Sequence, residues 1–248
     1  LLAMAHGLRA RGYRVDLLVS RRKGAFANAV PEGVRVVPLG CGWPGQGRLA
    51  AARAHPSALG ALARPVLLPL STGPAIGSIP ALATYLRRER PDVLFAAKVG
   101  ANLAALLARR RANMSIPIVV SERVNFADSV AHSPRWRWRY IVPAIRRLYP
   151  DADAIVSVSQ GTADSFARVT GATWPAMRVV YNPVVGPQLA EQAREAPEHP
   201  WFTADREAPA FATETFRDWW DARGGAQVSS SEKRIVYFHG DYANYHTP

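Results

Sequence analysis

Residues 92–121, DVLFAAKVGANLAALLARRRANMSIPIVVS, decide the fold. Residues 92–97 (DVLFAA) are a short apolar run that starts just after Pro91, as a strand buried on both faces does. Residues 100–111 (GANLAALLARRR) are Ala- and Leu-rich, and their arginines fall in the last turn, where the helix dipole favours cations. Residues 117–121 (PIVVS) form a second β-branched run. Strand, helix and strand at this spacing specify a parallel pair with a crossover helix.

The same alternation extends in both directions. Downstream, residues 134–149 are basic, aromatic and mostly helical, and residues 153–158 (DAIVSV) read as a strand. Ser159 follows as an N-cap for a helix to about Thr170, and residues 177–181 (MRVVY) form a strand ending at Asn182-Pro183. Upstream, the pattern predicts a helix over 75–90 and strands over 33–39 (GVRVVPL) and 13–19 (YRVDLLV). The expected fold is α/β, a Rossmann-like doubly wound, mostly parallel sheet. Ligands bind such sheets at the carboxyl ends of the strands. That selects residues 40–47, 98–102, 121–126, 157–161 and 182–183.

Residues 1–11 (LLAMAHGLRAR) are already helical, with Leu1, Met4, Ala5 and Leu8 on one face and Gly12 as the stop. A helix that feeds a parallel strand implies a strand before it. The expectation is a sheet lacking its first strand, in a chain that is a fragment.

Composition bounds the rest. The 248 residues hold one full α/β domain and a remainder, and the single Cys excludes a disulfide framework or a Cys-based metal site. With 48% hydrophobic and 20% charged residues the chain builds a core. No apolar run reaches the roughly 18 residues of a membrane span. The net charge of +12 is uneven: residues 1–207 carry +13 and residues 208–248 carry −1. The tail has its own character, with Trp219-Trp220, a Gly224-Gly225 break and an apolar strand at 234–238 (RIVYF).

Four motifs carry candidate chemistry. Gly40-Cys41-Gly42-Trp43-Pro44-Gly45 has the G-x-G-x-x-G form, but no acid follows before Glu89 to hold a ribose, so the segment reads as a loop. Ser121-Glu122-Arg123 places an acid and a guanidinium at a strand's carboxyl end. They form either a clamp for phosphate, carboxylate or sugar hydroxyls, or a local ion pair. Residues 135–140 (RWRWRY), with Arg146-Arg147, suit an anionic membrane surface, nucleic acid, or simple packing of aromatics on the sheet. Residues 157–161 (SVSQG) put amides at a helix start, where an anion binds or a serine merely caps. His6, His55 and His132 are isolated, and no metal site is expected.

Taken in order, the segments resemble the N-terminal domain of the GT-B glycosyltransferases of family 4 (GT4, group 1). The matching stretches are residues 8–19 (LRARGYRVDLLV), 30–40 (VPEGVRVVPLG), 82–93 (LATYLRRERPDV), 102–109 (NLAALLAR), 119–123 (VVSER), 149–161 (YPDADAIVSVSQG), 178–184 (RVVYNPV) and 199–202 (HPWF). The resemblance spans about residues 1–205 and implies an acceptor-side domain there, with 206–248 a foreign or truncated tail. It implies transfer of a sugar from a nucleotide-sugar donor to a lipid-linked or polysaccharide acceptor, with retention and without a metal. By the same resemblance Glu122, Arg123, Lys98 and Asn102 line the acceptor side, and Ser157, Ser159 and Asn182 the donor-facing cleft. It further implies a cytoplasmic protein, peripheral on the inner face of the membrane through residues 135–147, that does not bind nucleic acid. Many relatives carry His where Glu122 stands, which leaves the catalytic residue unassigned. The family's donor-binding second domain does not follow residue 205, so the resemblance implies that the chain alone does not turn over. The alternative from another class is a basic membrane-surface or nucleic-acid binding module without catalysis.

Residues 216–248 resemble something else, the entry to the cysteine-rich CCG domain of anaerobic glycerol-3-phosphate dehydrogenase C subunits and heterodisulfide reductases. Asp241 stands at that domain's cysteine, so no cluster is expected. The tail then reads as a segment joined by a change of reading frame or by fusion.

Overall fold

The computed structural model describes residues 2–20, 30–40, 42–68, 74–132, 140–171, 177–182 and 234–239. The strands are β1 (Arg14–Val19), β2 (Arg35–Pro38), β3 (Val93–Ala97), β4 (Ile118–Glu122), β5 (Ala154–Ser157), β6 (Arg178–Val179) and β7 (Arg234–His239). The α-helices are α1 (Leu2–Ala10), α2 (Pro44–Ala54), α3 (Leu59–Leu62), α4 (Pro74–Gly77), α5 (Ile79–Glu89), α6 (Val99–Ala112), α7 (Phe126–His132), α8 (Ile141–Leu148) and α9 (Gln160–Thr170).

One sheet runs in the order β2-β1-β7-β3-β4-β5-β6, and every neighbouring pair is parallel. Strand alternation sorts the apolar side chains onto two faces. Val15, Leu17, Val19, Val93, Phe95, Ala97, Val119, Ala154 and Val156 share one face with Ala5 and Leu8 of α1. Leu18, Leu94, Ala96, Ile118, Val120 and Ile155 share the other, under a larger layer from α2, α5, α6, α8 and α9. This is the doubly wound arrangement that the sequence pattern predicts.

The element ends follow from local chemistry. Gly12, at φ 86°, turns α1 into β1. Helix α6 ends at Asn113 in the left-handed region, and its last-turn arginines reach the start of β5. Arg109 pairs with Asp153 at 2.6 Å, and Arg110 pairs with Asp151 through two bonds of 2.7 and 2.8 Å. These pairs lock the amino ends of β4 and β5, away from the ligand-binding edge.

Three expectations change. The helix expected over 75–90 is interrupted at Ser78, whose hydroxyl donates to the Gly40 carbonyl at 2.9 Å and lies 3.3 Å from the Ser20 hydroxyl. The glycine-rich loop of 40–47 opens a helix, because Pro44 fits the first turn, where no amide hydrogen is needed. Gly47 then lies against the α4 backbone, and a Cβ there would stand 2.4 Å from the Ile76 carbonyl oxygen. Of the helix expected over 134–149, Ile141–Leu148 is helical, and 133–139 lie outside the described residues.

β7, from the tail, lies within the same sheet. β7 pairs with β1 from Arg14↔Arg234 to Val19↔His239, and with β3 from Val93↔Ile235 to Ala97↔His239. It lies between β1 and β3 and pairs with both.

Candidate functional site

The parallel sheet gathers its strand ends at one edge. There Ser20 follows β1, Gly40 lies just after β2, Lys98 follows β3, Arg123 follows β4, and the ends of β5 and β6 lead to Ser159 and Asn182. His239 closes β7 in register with Val19 and Ala97, so it stands at the same edge.

Arg123 and Asn182 meet. The Arg123 guanidinium Nη2 donates to Asn182 Oδ1 at 2.6 Å, across 59 residues of sequence. The half-buried guanidinium thereby spans the ends of β4 and β6, over the end of β5. Lys98 is the N-terminal flanking residue of α6 and holds φ 76°, a conformation costly for a residue with a side chain. Its amide donates to the Ser121 carbonyl at 3.2 Å, which fixes the β3–α6 turn against β4. Among the described residues Arg90, Lys98 and Asn113 are the non-glycine residues at positive φ, and Lys98 is the one at the ligand edge.

Glu122 and Asn102 lie beneath that edge rather than on it; both are fully buried. Asn102 Nδ2 donates to Glu122 Oε1 at 3.0 Å, to the Ser121 carbonyl at 3.2 Å and to the Tyr149 hydroxyl at 3.0 Å. The Tyr149 hydroxyl donates to Glu122 Oε1. Tyr149 is itself held by Phe166, stacked at 5.6 Å between ring centres, and Phe166 rests on Phe126 at 5.1 Å. Burial pushes the Glu122 carboxyl up to about 7, against the opposing pull of the bonds from Tyr149 and Asn102. Burial likewise holds the Tyr149 hydroxyl well above its ordinary value. Glu122 Oε2 and Asn102 Oδ1 are buried without a partner among the described residues.

The two serines serve the backbone. Buried Ser157 donates from Oγ to the Ser159 carbonyl at 3.0 Å. Ser159 Oγ accepts from the Thr162 amide at 3.2 Å, which makes it the N-cap of the 11-residue α9. The amides of that first turn face the ligand edge.

Sequence reasoning missed Tyr149. Its hydroxyl reaches Glu122 from the end of α8, and only the tertiary fold brings the two together. The trio of buried Asp16 and Tyr85 with exposed Arg35 was also unmarked. Arg35 grips Asp16 through bonds of 3.0 and 2.5 Å, and the Tyr85 hydroxyl donates to Asp16 Oδ2 at 2.5 Å. This trio ties β1, β2 and α5 together and takes no part in the ligand edge. In the basic segment, Arg146 donates to the Thr170 carbonyl at the end of α9, and Arg147 to the Ser57 hydroxyl at 2.8 Å. Buried Ile141, Ala144, Ile145 and Leu148 pack α8 onto the core. No helix among the described residues is long and apolar enough to cross a membrane.

Residues 1–185 of the 248 match the family model described as Glycosyltransferase Family 4. No curated protein matches the chain. The likeness of residues 216–248 to a cysteine-rich domain finds no support in these comparisons.

Proposed function

The chain belongs to glycosyltransferase family 4, and on that premise we propose that it forms the acceptor side of an enzyme that moves a sugar from a nucleotide-sugar donor to a lipid-linked or polysaccharide acceptor with retention. The observation that carries this reading is the Arg123–Asn182 contact at the carboxyl edge of the sheet.

In this reading Arg123 is the anion clamp. Its planar fork matches the two oxygens of a phosphate or carboxylate, which a lipid-diphosphate or acidic glycan acceptor offers. Asn182 fixes the plane of that fork. Lys98 adds a cation one strand away, and the first turn of α9 beneath Ser159 adds oriented amides. Glu122 and Asn102 act from below: they set the β4 end that carries Arg123, held by Tyr149. Ser157 shapes the turn from β5 to α9. Catalysis by such a surface is positioning plus electrostatics, with the acceptor hydroxyl aimed at the sugar of a donor carried opposite it. The basic surface at Arg146 and Arg147 is exposed and lies in the segment proposed to meet an anionic membrane.

The test is an amide-shift titration of the chain with a short-chain lipid-diphosphate-linked sugar. Shifts are expected at residues 98, 123, 159–162 and 182. Shifts confined to the opposite, amino edge of the sheet around Arg109, Arg110 and Asp153 would overturn the assignment.

A further inference from the structure

We propose that the cavity between α2, α5 and α6 is a second anion site, which takes a small soluble anion carrying a short apolar chain. The cavity has a volume of about 220 Å³ and is lined by Gln46, Leu49, Ala50 and Arg53 of α2, Pro80 of α5 and Arg111 of α6. The four residues of α2 fall at i, i+3, i+4 and i+7, so one face of that helix forms the wall.

Arg53 and Arg111 bring two positive charges to this cavity without a counter-charge. No Asp or Glu occurs in α2 or α6, or anywhere between Glu32 and Glu89. Glu89 is bonded to Arg35 and Arg88. The arginines that close α6 differ from one another in this respect. Arg109 pairs with Asp153 and Arg110 with Asp151. The Arg111 side chain makes no ion pair or hydrogen bond among the described residues, and neither does that of Arg53. The helix dipole favours a cation in any last turn. It does not account for two unpaired guanidinium groups on one cavity. Like charges across a shared space repel, and an anion between them relieves the repulsion. Each guanidinium also presents the planar fork that matches two oxygens of a phosphate or carboxylate.

The lining adds an apolar requirement. Leu49 is 50% exposed beside buried Ala50, and Pro80 contributes a second apolar side chain. The other exposed large apolar side chains among the described residues, such as Trp43, Leu59 and Leu68, are not in the lining. One exposed leucine is too small a patch to hold a bilayer and enough to cover a short chain. The volume falls below the roughly 300 Å³ at which cavities for drug-sized ligands begin. It equals about seven water volumes, which a chain of about six carbons fills with its charged end between the guanidinium groups.

The site is separate from the edge where Arg123 and Asn182 meet. α6 starts next to Lys98 at that edge and carries Arg111 in its last turn, and its 14 residues span about 21 Å.

The experiment titrates hexyl phosphate, inorganic phosphate and hexanol separately into the full 248-residue chain. Hexyl phosphate is expected to bind saturably and about tenfold or more tightly than inorganic phosphate, and hexanol is expected not to bind. Arg53→Gln and Arg111→Gln are each expected to weaken hexyl phosphate at least threefold, and Arg123→Ala is expected to leave it unchanged. Leu49→Ser is expected to weaken hexyl phosphate and leave inorganic phosphate unchanged. These side chains are exposed, so the variants are expected to melt like the unmodified chain. Equal affinity for the two phosphates, affinity unchanged in both arginine variants, or loss of binding in Arg123→Ala alone overturns the proposal. So does capture by phosphatidylglycerol vesicles without any binding of hexyl phosphate. If a variant fails to fold, amide shifts in the unmodified chain decide: hexyl phosphate is expected to shift residues 46–53 and 108–112, and their absence overturns the site.

Discussion

Arg123 and Asn182 stand 59 residues apart in sequence and 2.6 Å apart in space, and their bond bridges the ends of β4 and β6 across β5. A charge-assisted bond of this kind contributes about 1–2 kcal/mol. Arg123→Ala and Asn182→Ala are each expected to lower the melting temperature by a few degrees. The double variant is expected to lose less than the sum of the two, with a coupling of about 1 kcal/mol. Arg123→Lys is expected to recover little, since an ammonium lacks the planar fork. Thermal melts of the four proteins check this.

Glu122 gives the fold a dependence on pH. Its carboxyl is raised from an ordinary 4.5 to about 7 by burial, so between those values the folded chain binds a proton that the unfolded chain has released. Stability is therefore expected to fall as pH rises from about 4.5 to about 7 and to level off above that. Glu122→Gln keeps the hydrogen-bonding shape without the charge and is expected to remove this slope. Urea titrations at pH 5, 6 and 8 on both proteins read the difference.

The trio beneath β1 is structural. Tyr85→Phe removes a donor from buried Asp16 and is expected to cost about 1–2 kcal/mol. Asp16→Ala leaves the buried Tyr85 hydroxyl without its acceptor, while exposed Arg35 keeps water and Glu89, and is expected to cost about 1–3 kcal/mol. Neither is expected to change acceptor affinity in a protein that still folds, because the trio lies away from the carboxyl edge. Denaturant midpoints and a binding titration separate the two effects.

Gly47 and Ser159 test the two helix starts. Gly47→Ala places a methyl 2.4 Å from the Ile76 carbonyl oxygen and 2.8 Å from the Gly77 Cα, and is expected to cost about 1–3 kcal/mol by forcing α2 and α4 apart. Ser159→Ala removes the N-cap of α9 and is expected to cost about 1 kcal/mol. Calorimetric melts of both variants give the values.

The parallel core was legible because residues 92–121 carry their structure locally: apolar runs of strand length flank an Ala/Leu helix that ends in arginines. The site was legible in position, since the carboxyl edge follows from strand order and direction. It was not legible in depth. Nothing in SER at 121–123 tells that Glu122 points into the core while Arg123 reaches Asn182, because that distinction depends on the pleat and on Tyr149 arriving from α8. The helix at Pro44 was hidden by the glycines of its first turn, which suggest a loop until Gly47 is seen against Ile76. The place of residues 234–239 was the least legible feature. A strand's own residues state that it pairs, and only its ladders with β1 and β3 in the folded sheet state where.

Calorimetric titration of a short-chain lipid-diphosphate-linked sugar into the unmodified chain and into Arg123→Ala asks whether Arg123 holds an anionic acceptor at the carboxyl edge. Saturable binding to the unmodified chain is expected, with an affinity about tenfold or more weaker in the variant, the loss of one charge-assisted pair. Equal affinity in the two proteins, or no binding by the unmodified chain, would contradict it.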